Sequence, residues 1–197
     1  FKKNFLNYLY IIFLGAISSY SLPPYNYFII NFFTFSLFFI FIFNKKKRTS
    51  SNKYFFQYGW CFGFGYFLFS LYWIVISLTF DQSFKFLIPV AVILLPSFLA
   101  IFYGVVTYLF SILYSKNVAS CFFIFSILFG TTEFIRGSVL TGFPWNLISF
   151  SFSKSIYFIQ ILSMIGTYSF NLICISLFAV PALFILRKSR TEIMICF

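Results

Sequence analysis

From Phe86 to Tyr114 the chain carries no charged side chain, and several other runs are nearly as apolar. An uninterrupted stretch of this kind has few physical solutions. In hydrocarbon every backbone N–H and C=O must be satisfied within the segment, and an α-helix of about 20 residues does this while crossing the bilayer. Composition points the same way, because only 9% of residues are charged and 61% are hydrophobic, with a mean hydropathy of +0.97. A soluble domain carries about a quarter charged residues. The fold class is therefore all-α, a polytopic transmembrane helix bundle.

The net charge of +11 raises the question of nucleic acid. The basic residues form short runs between apolar spans, however, and no basic face exists to lie along a duplex. No nucleic acid is expected as a partner; the lipid bilayer, with its anionic cytoplasmic leaflet, is the better match. There is no histidine, and Cys61, Cys121, Cys174 and Cys196 are scattered through apolar segments. These cysteines read as small buried hydrophobes, and neither a metal nor another cofactor is expected.

Read by helical rise, the chain offers about six spans. They cover residues 5–20, 25–43, 54–78, 86–114, 118–133 and 156–186, and the final "TEIMICF" resembles the start of a seventh. Pro23 and Pro24 end the first span. Gly59 and Gly63 in the third have the spacing that lets a neighbouring helix approach closely. Pro89 and Pro96 should kink the fourth, and Gly166 and Pro181 interrupt the sixth. Lys2 and Lys3 before an apolar run with small residues also fit a signal peptide. With the N-terminus placed in the cytoplasm, eleven basic residues fall on that side, in the runs at 2–3, 45–53, 116 and 187–190. Only Lys85, Arg136 and Lys154 fall on the other. This is the positive-inside bias, and it predicts a multi-pass membrane protein with a cytoplasmic N-terminus.

The residues that break the apolar pattern are "TEFIRGSVLTGFPW". Glu133 and Arg136 stand at i and i+3 and share a helix face near the outer end of the fifth span. Two readings stay open for them. One is a structural ion pair with Arg136 snorkelling to headgroups; the other is a polar site in which Arg136 meets a lipid phosphate and Glu133 orients it. Gly137, Gly142 and Pro144 take the following backbone out of helix, which at membrane depth requires burial in protein or a cavity wall. Trp145 suits the interface. The segment reads as a re-entrant or interfacial turn, and the candidate lipid-positioning residues are Glu133, Arg136, Thr141, Phe143, Pro144, Trp145 and Trp73.

The same stretch resembles the membrane-domain signature of bacterial apolipoprotein N-acyltransferases. "GWCFGFGYFLFSLYWIVISL", with Tyr72, Trp73 and Ser77, is similar to that family's third span, and "GAISSYSLPPYN" to its first span and following loop. The chain departs from the family pattern at Ser138, where an aromatic is usual, and at Ser149–Phe152, where Gly-Tyr-Ser-Gln is usual. The resemblance implies transfer of an acyl chain from a phospholipid donor, through a cysteine thioester, to the N-terminal amine of a diacylglyceryl-cysteine apolipoprotein acceptor. It implies the bacterial inner membrane as the location, with this chemistry in a nitrilase-like periplasmic domain expected after residue 197. Residues 1–197 would then be the N-terminal transmembrane domain, with no catalytic residue of its own. A small transporter or channel subunit is the alternative; Asp81, Glu133 and Glu192 all fall outside span centres, which argues against proton coupling. A purely structural assembly subunit is a third class.

Overall fold

A computed structural model describes residues 2–49, 51–80, 82–139 and 142–186. Helices α1 (Lys2–Ser19), α2 (Ile29–Arg48) and α3 (Lys53–Ser70) come first, followed by a short α4 (Trp73–Ser77). After a 3-10 turn at Gln82–Leu87 come α5 (Ile88–Leu113) and α6 (Val118–Ser138). A second 3-10 turn at Ile148–Phe152 leads to α7 (Ile156–Ile165) and α8 (Thr167–Leu186). No strand occurs among the described residues. The all-α membrane bundle expected from the sequence is the observed architecture. By length and composition, α2, α5 with its preceding turn, α6 and α8 can each cross a membrane. Helices α1 and α3, at 18 residues each, reach roughly 27 Å.

Three boundaries differ from the expected ones. The third span stops at Ser70 rather than Leu78, and the chain restarts as the five-residue α4. The sixth divides at Gly166, whose φ of +82° lies in the left-handed region. The ten residues of α7 before it include none that is buried, so only α8 is packed into the bundle. The fifth continues to Ser138, so Glu133 lies within a helix rather than at its end. Pro89 sits in the first turn of α5, where no N–H is required, while Pro96 and Pro181 are accommodated inside α5 and α8. The expected start of a seventh span, together with Glu192 and Cys196, lies outside the described residues, as does Asp81.

Small residues set the packing. A Cβ at Gly59 would overlap the Tyr103 carbonyl oxygen, and one at Gly63 would lie 3.0 Å from the Ala100 Cα. The glycine spacing of the third span therefore does bring a helix, α5, against α3. A second pair was not anticipated. Gly15 abuts the Phe62 carbonyl and Gly65 the Ile12 carbonyl, so α1 and α3 also meet backbone to backbone. Helix α3 is held between α1 and α5. Across from this group, α2, α6 and α8 pack through aromatic rings. Phe39 on α2 meets Phe125 on α6 at 5.1 Å between centroids, and Phe32 on α2 meets Phe178 on α8 at 5.0 Å. Cys61, Cys121 and Cys174 are buried and unpaired, as the sequence reading expected.

The two ends of the bundle differ chemically. At one end the termini of α2, α5 and α8 and the start of α6 gather Lys46, Lys47 and Lys116. At the other, Ser153 donates to Asn26 at 2.9 Å and joins the α1–α2 loop to the segment after α6.

Candidate functional site

Two charges inside an apolar helix must be paired, and the local geometry of α6 allows it. Glu133 and Arg136 are one turn apart, and Arg136 Nη2 donates to Glu133 Oε2. Both residues are 1% exposed. The guanidinium lies over the ring of Phe67 on α3, 5.2 Å from its centroid, which adds a cation–π contact in a desolvated setting. The snorkelling arginine considered from sequence is thereby corrected: helix α6 runs on past Glu133, and the neighbouring helices enclose the pair.

The remaining arginine donors turn to the backbone. Arg136 Nη1 donates to the Phe143 carbonyl at 2.8 Å and to the Trp145 carbonyl at 3.0 Å. The planar fork of the guanidinium thus holds one carboxylate and two carbonyls of the non-helical segment 142–147. Buried carbonyls outside a helix need such donors. Phe143 N–H closes the turn on the Arg136 carbonyl at 3.1 Å, and Gly142 N–H bonds the Val139 carbonyl at 3.0 Å. Gly142 at φ +71° supplies a left-handed turn that residues with a Cβ seldom adopt.

Helix α3 grips the other end of this segment. Tyr66 donates its hydroxyl to the Asn146 carbonyl at 2.9 Å, and Asn146 Nδ2 donates to the Ser70 carbonyl at 2.9 Å. Asn146 has φ +60°, a conformation asparagine tolerates better than most residues. The Ser70 carbonyl is one that the end of α3 leaves without an intrahelical partner, so Asn146 acts as its cap. Buried Tyr66 and Tyr103 both lie within electrostatic range of Glu133 and Arg136. Among the described residues, Glu133 Oε1, Arg136 Nε and the Tyr103 hydroxyl have no hydrogen-bond partner.

What this framework presents outward is aromatic. Trp145 is 55% and Trp73 41% exposed, and their rings meet at 6.1 Å and 66°. Pro144 between the bracing carbonyls is exposed, and Phe143 is partly buried. A cavity of about 330 Å³ opens between the α1–α2 loop and the end of α3, with Tyr20, Tyr25, Tyr72 and Ser70 in its lining. The chain then re-enters the bundle: Leu147, Ile148 and Ser149 are buried, and Ser149 N–H donates to Asn171 Oδ1 at 2.9 Å. Phe152 stacks on Phe178 at 5.6 Å.

Six of the seven candidate residues thus form one assembly, with Glu133 and Arg136 beneath and Trp73, Phe143, Pro144 and Trp145 around the turn. Thr141 lies outside the described residues. Sequence reasoning missed Tyr66, Phe67, Tyr103 and Asn146. An asparagine directly after Pro-Trp in a glycine-containing turn is a usable signal; aromatic residues inside an aromatic-rich span give none.

Comparison with known proteins places this architecture. The chain is 33% identical over 194 residues to an apolipoprotein N-acyltransferase of Rhizobium rhizogenes, covering 95% of this chain and 36% of that protein. It is 32% identical to the one of Rhizobium etli, over 98% of this chain and 36% of that protein. With that of Rhizobium leguminosarum bv. trifolii the identity is 34%, over 93% and 34%. The chain therefore spans about a third of the length of these relatives. The family model for the apolipoprotein N-acyltransferase N-terminal domain matches residues 14–186, which include both helices that grip the turn and the turn itself. The chain belongs to the family of apolipoprotein N-acyltransferase N-terminal domains.

Proposed function

We propose that this chain is the membrane part of an enzyme that moves an acyl chain from a phospholipid to the N-terminal amine of a diacylglyceryl-cysteine lipoprotein. The match over residues 14–186 carries this reading, together with the name borne by the full-length relatives. Chemistry is assigned to a soluble domain following residue 197. The described cysteines are buried among apolar side chains, and none of them is proposed as the nucleophile. The role of the present residues is to hold and orient lipid.

Within that role, Glu133 and Arg136 act as positioning residues. They fix the backbone at Phe143 and Trp145, and the turn presents Trp145 and Trp73 to a lipid at the outer surface. The test uses full-length enzyme and a phospholipid with a labelled acyl chain, measuring thioester formation and transfer to a diacylglyceryl-cysteine peptide. A full-length protein that transfers no label overturns the reaction. Trp145→Ala and Trp73→Ala remove exposed rings, so abundance should stay near normal. Misplacement of about 1 Å costs up to about a hundredfold, and we expect thioester formation to fall about tenfold. Formation unchanged in both variants removes the turn from lipid handling.

The proposed orientation has the N-terminus in the cytoplasm of a bacterial cell, with the multi-pass chain in its inner membrane. It is supported by the eleven-to-three basic count and by the convergence of Lys46, Lys47 and Lys116 at one end of the bundle. A reporter fused after Lys116 should read cytoplasmic and one at Ser83 periplasmic. The reverse pattern inverts the topology.

A further inference from the structure

Glu133 has two carboxylate oxygens, and the bonds described so far use one of them. Oε2 is held by Arg136, while Oε1 is buried and has no hydrogen-bond partner. A carboxylate taken out of water needs donors at both oxygens. On α5, Tyr103 has the complementary deficit: the residue is 0% exposed, and its hydroxyl has no partner either. A buried tyrosine hydroxyl ordinarily finds one.

The packing aims that hydroxyl at Glu133. Gly63 on α3 makes room for the ring, since a Cβ there would come within 3.1 Å of the Tyr103 Cβ and 3.2 Å of its Cδ2. The ring meets Phe67 of α3 at 5.2 Å and Phe129 of α6 at 5.1 Å between centroids. Both neighbours mark the position of the ion pair. Phe67 carries the Arg136 guanidinium over its face, and Phe129 stands one helical turn before Glu133 on the same side of α6.

Helix direction supplies the last element. Helices α5 and α6 pack on each other and are joined by a short connection, so they run antiparallel. Helical side chains lean toward the N-terminus of their own helix. Tyr103 therefore leans from Phe129 toward the start of α5, which is the direction in which α6 advances to Glu133. Glu133 is also the strongest charge acting on the Tyr103 hydroxyl.

We propose that the Tyr103 hydroxyl donates to Glu133 Oε1 and makes Tyr103 a third positioning residue of the turn. The last torsion of a glutamate is broad, so the carboxylate can meet the hydroxyl while Oε2 stays on Arg136. Glu133 is then held from α5 as well as from α6, and it aligns the guanidinium on the Phe143 and Trp145 carbonyls. Phenylalanine outnumbers tyrosine 36 to 14 in this chain and would fill the same slot, so packing alone gives the hydroxyl no use. The bond does not depend on the acyl-transfer reading; its effect on acyl transfer rests on that reading.

The test is amide hydrogen exchange of the full-length protein in mild detergent, followed by mass spectrometry. In Y103F, peptides covering 142–147 should exchange about tenfold faster than in the wild type, as for loss of one buried bond to a charged group. Peptides of α2 and α8 should exchange as before. No change at 142–147 overturns the proposal, and so does equal acceleration along the whole chain. Tyr103→4-aminophenylalanine keeps a donor at the ring end and should show wild-type exchange. If Y103F fails to purify, this variant decides: wild-type exchange supports the bond, and acceleration at 142–147 overturns it. Thioester formation from the labelled phospholipid is read alongside. Y103F should lower it about fivefold, and should lower it no further in a Trp145→Ala background. Additive losses overturn action through the turn. A wild-type enzyme that forms no thioester overturns the acyl-transfer reading and leaves the exchange result to decide the bond.

Discussion

Arg136→Gln should sharply reduce the amount of folded protein in the membrane. The substitution leaves Glu133 buried without its cation and releases the Phe143 and Trp145 carbonyls from their shared donor. Removing one partner of a buried pair costs about 3–5 kcal/mol, and most domains have only about 5–15 kcal/mol in total. Glu133→Gln should be costly for the complementary reason, since the guanidinium keeps its charge and loses its carboxylate. Replacing both with neutral residues of similar size removes the uncompensated charge and should recover part of the loss. The measurement is folded, monodisperse protein by fluorescence-detected size exclusion, with unfolding temperature as a second readout. A double variant worse than either single one would contradict the account. So would near-normal abundance of Arg136→Gln with loss of thioester formation alone, which would make the arginine a direct lipid ligand.

Gly65→Leu should be comparably damaging for a steric reason. At Gly65 even a Cβ overlaps the Ile12 carbonyl oxygen, and at Gly15 it overlaps that of Phe62. The obstacle in both cases is main chain, which cannot rotate away as a side chain can. Overpacking typically costs about 1–3 kcal/mol, and separating two helices that touch through their backbones belongs at or above the top of that range. Gly166→Ala provides the contrast. Nothing lies within 4 Å of a Cβ there, yet the φ of +82° with ψ +157° disfavours any L side chain, so about 1–3 kcal/mol of backbone strain and no steric clash is expected. Thermal unfolding of the purified variants separates the two kinds of glycine. A Gly166→Ala protein less stable than Gly65→Leu would reverse the assignment.

The sequence-to-structure correspondence is closest where a residue type has only one tolerable environment. Charges in apolar runs must pair, so Glu133 with Arg136 was legible from spacing. Gly59 and Gly63 share a helix face and could be read as a helix contact. The break after Ser70 was not legible, because Ser70, Leu71 and Tyr72 contain no helix breaker. The carbonyl left over at that break is capped by Asn146, 76 residues away, and one sequence position carries no trace of the other. The acceptors of Arg136 are backbone carbonyls, which every residue possesses, so nothing in the sequence singled them out. Gly166 was read as an interruption, but its left-handed conformation, which separates α7 from α8, depends on the fold around it. The pair expected near the outer end of its span is fully buried, and α6 runs five residues beyond Glu133.

Backbone-to-backbone packing of α1, α3 and α5 has a mechanical consequence. Helices in contact through carbonyls and Cα atoms cannot slide without collision, so these three behave as one plate. The aromatic contacts of α2, α6 and α8 can yield by ring rotation. The segment 142–147 is fastened to both sides, to α6 through Arg136 and to α3 through Tyr66 and Ser70. It is a strut between a stiff plate and a compliant one. A force that spreads them is shared between ring contacts such as Phe38 on Phe62 and the hydrogen bonds of this strut, and Trp145 is carried on the strut.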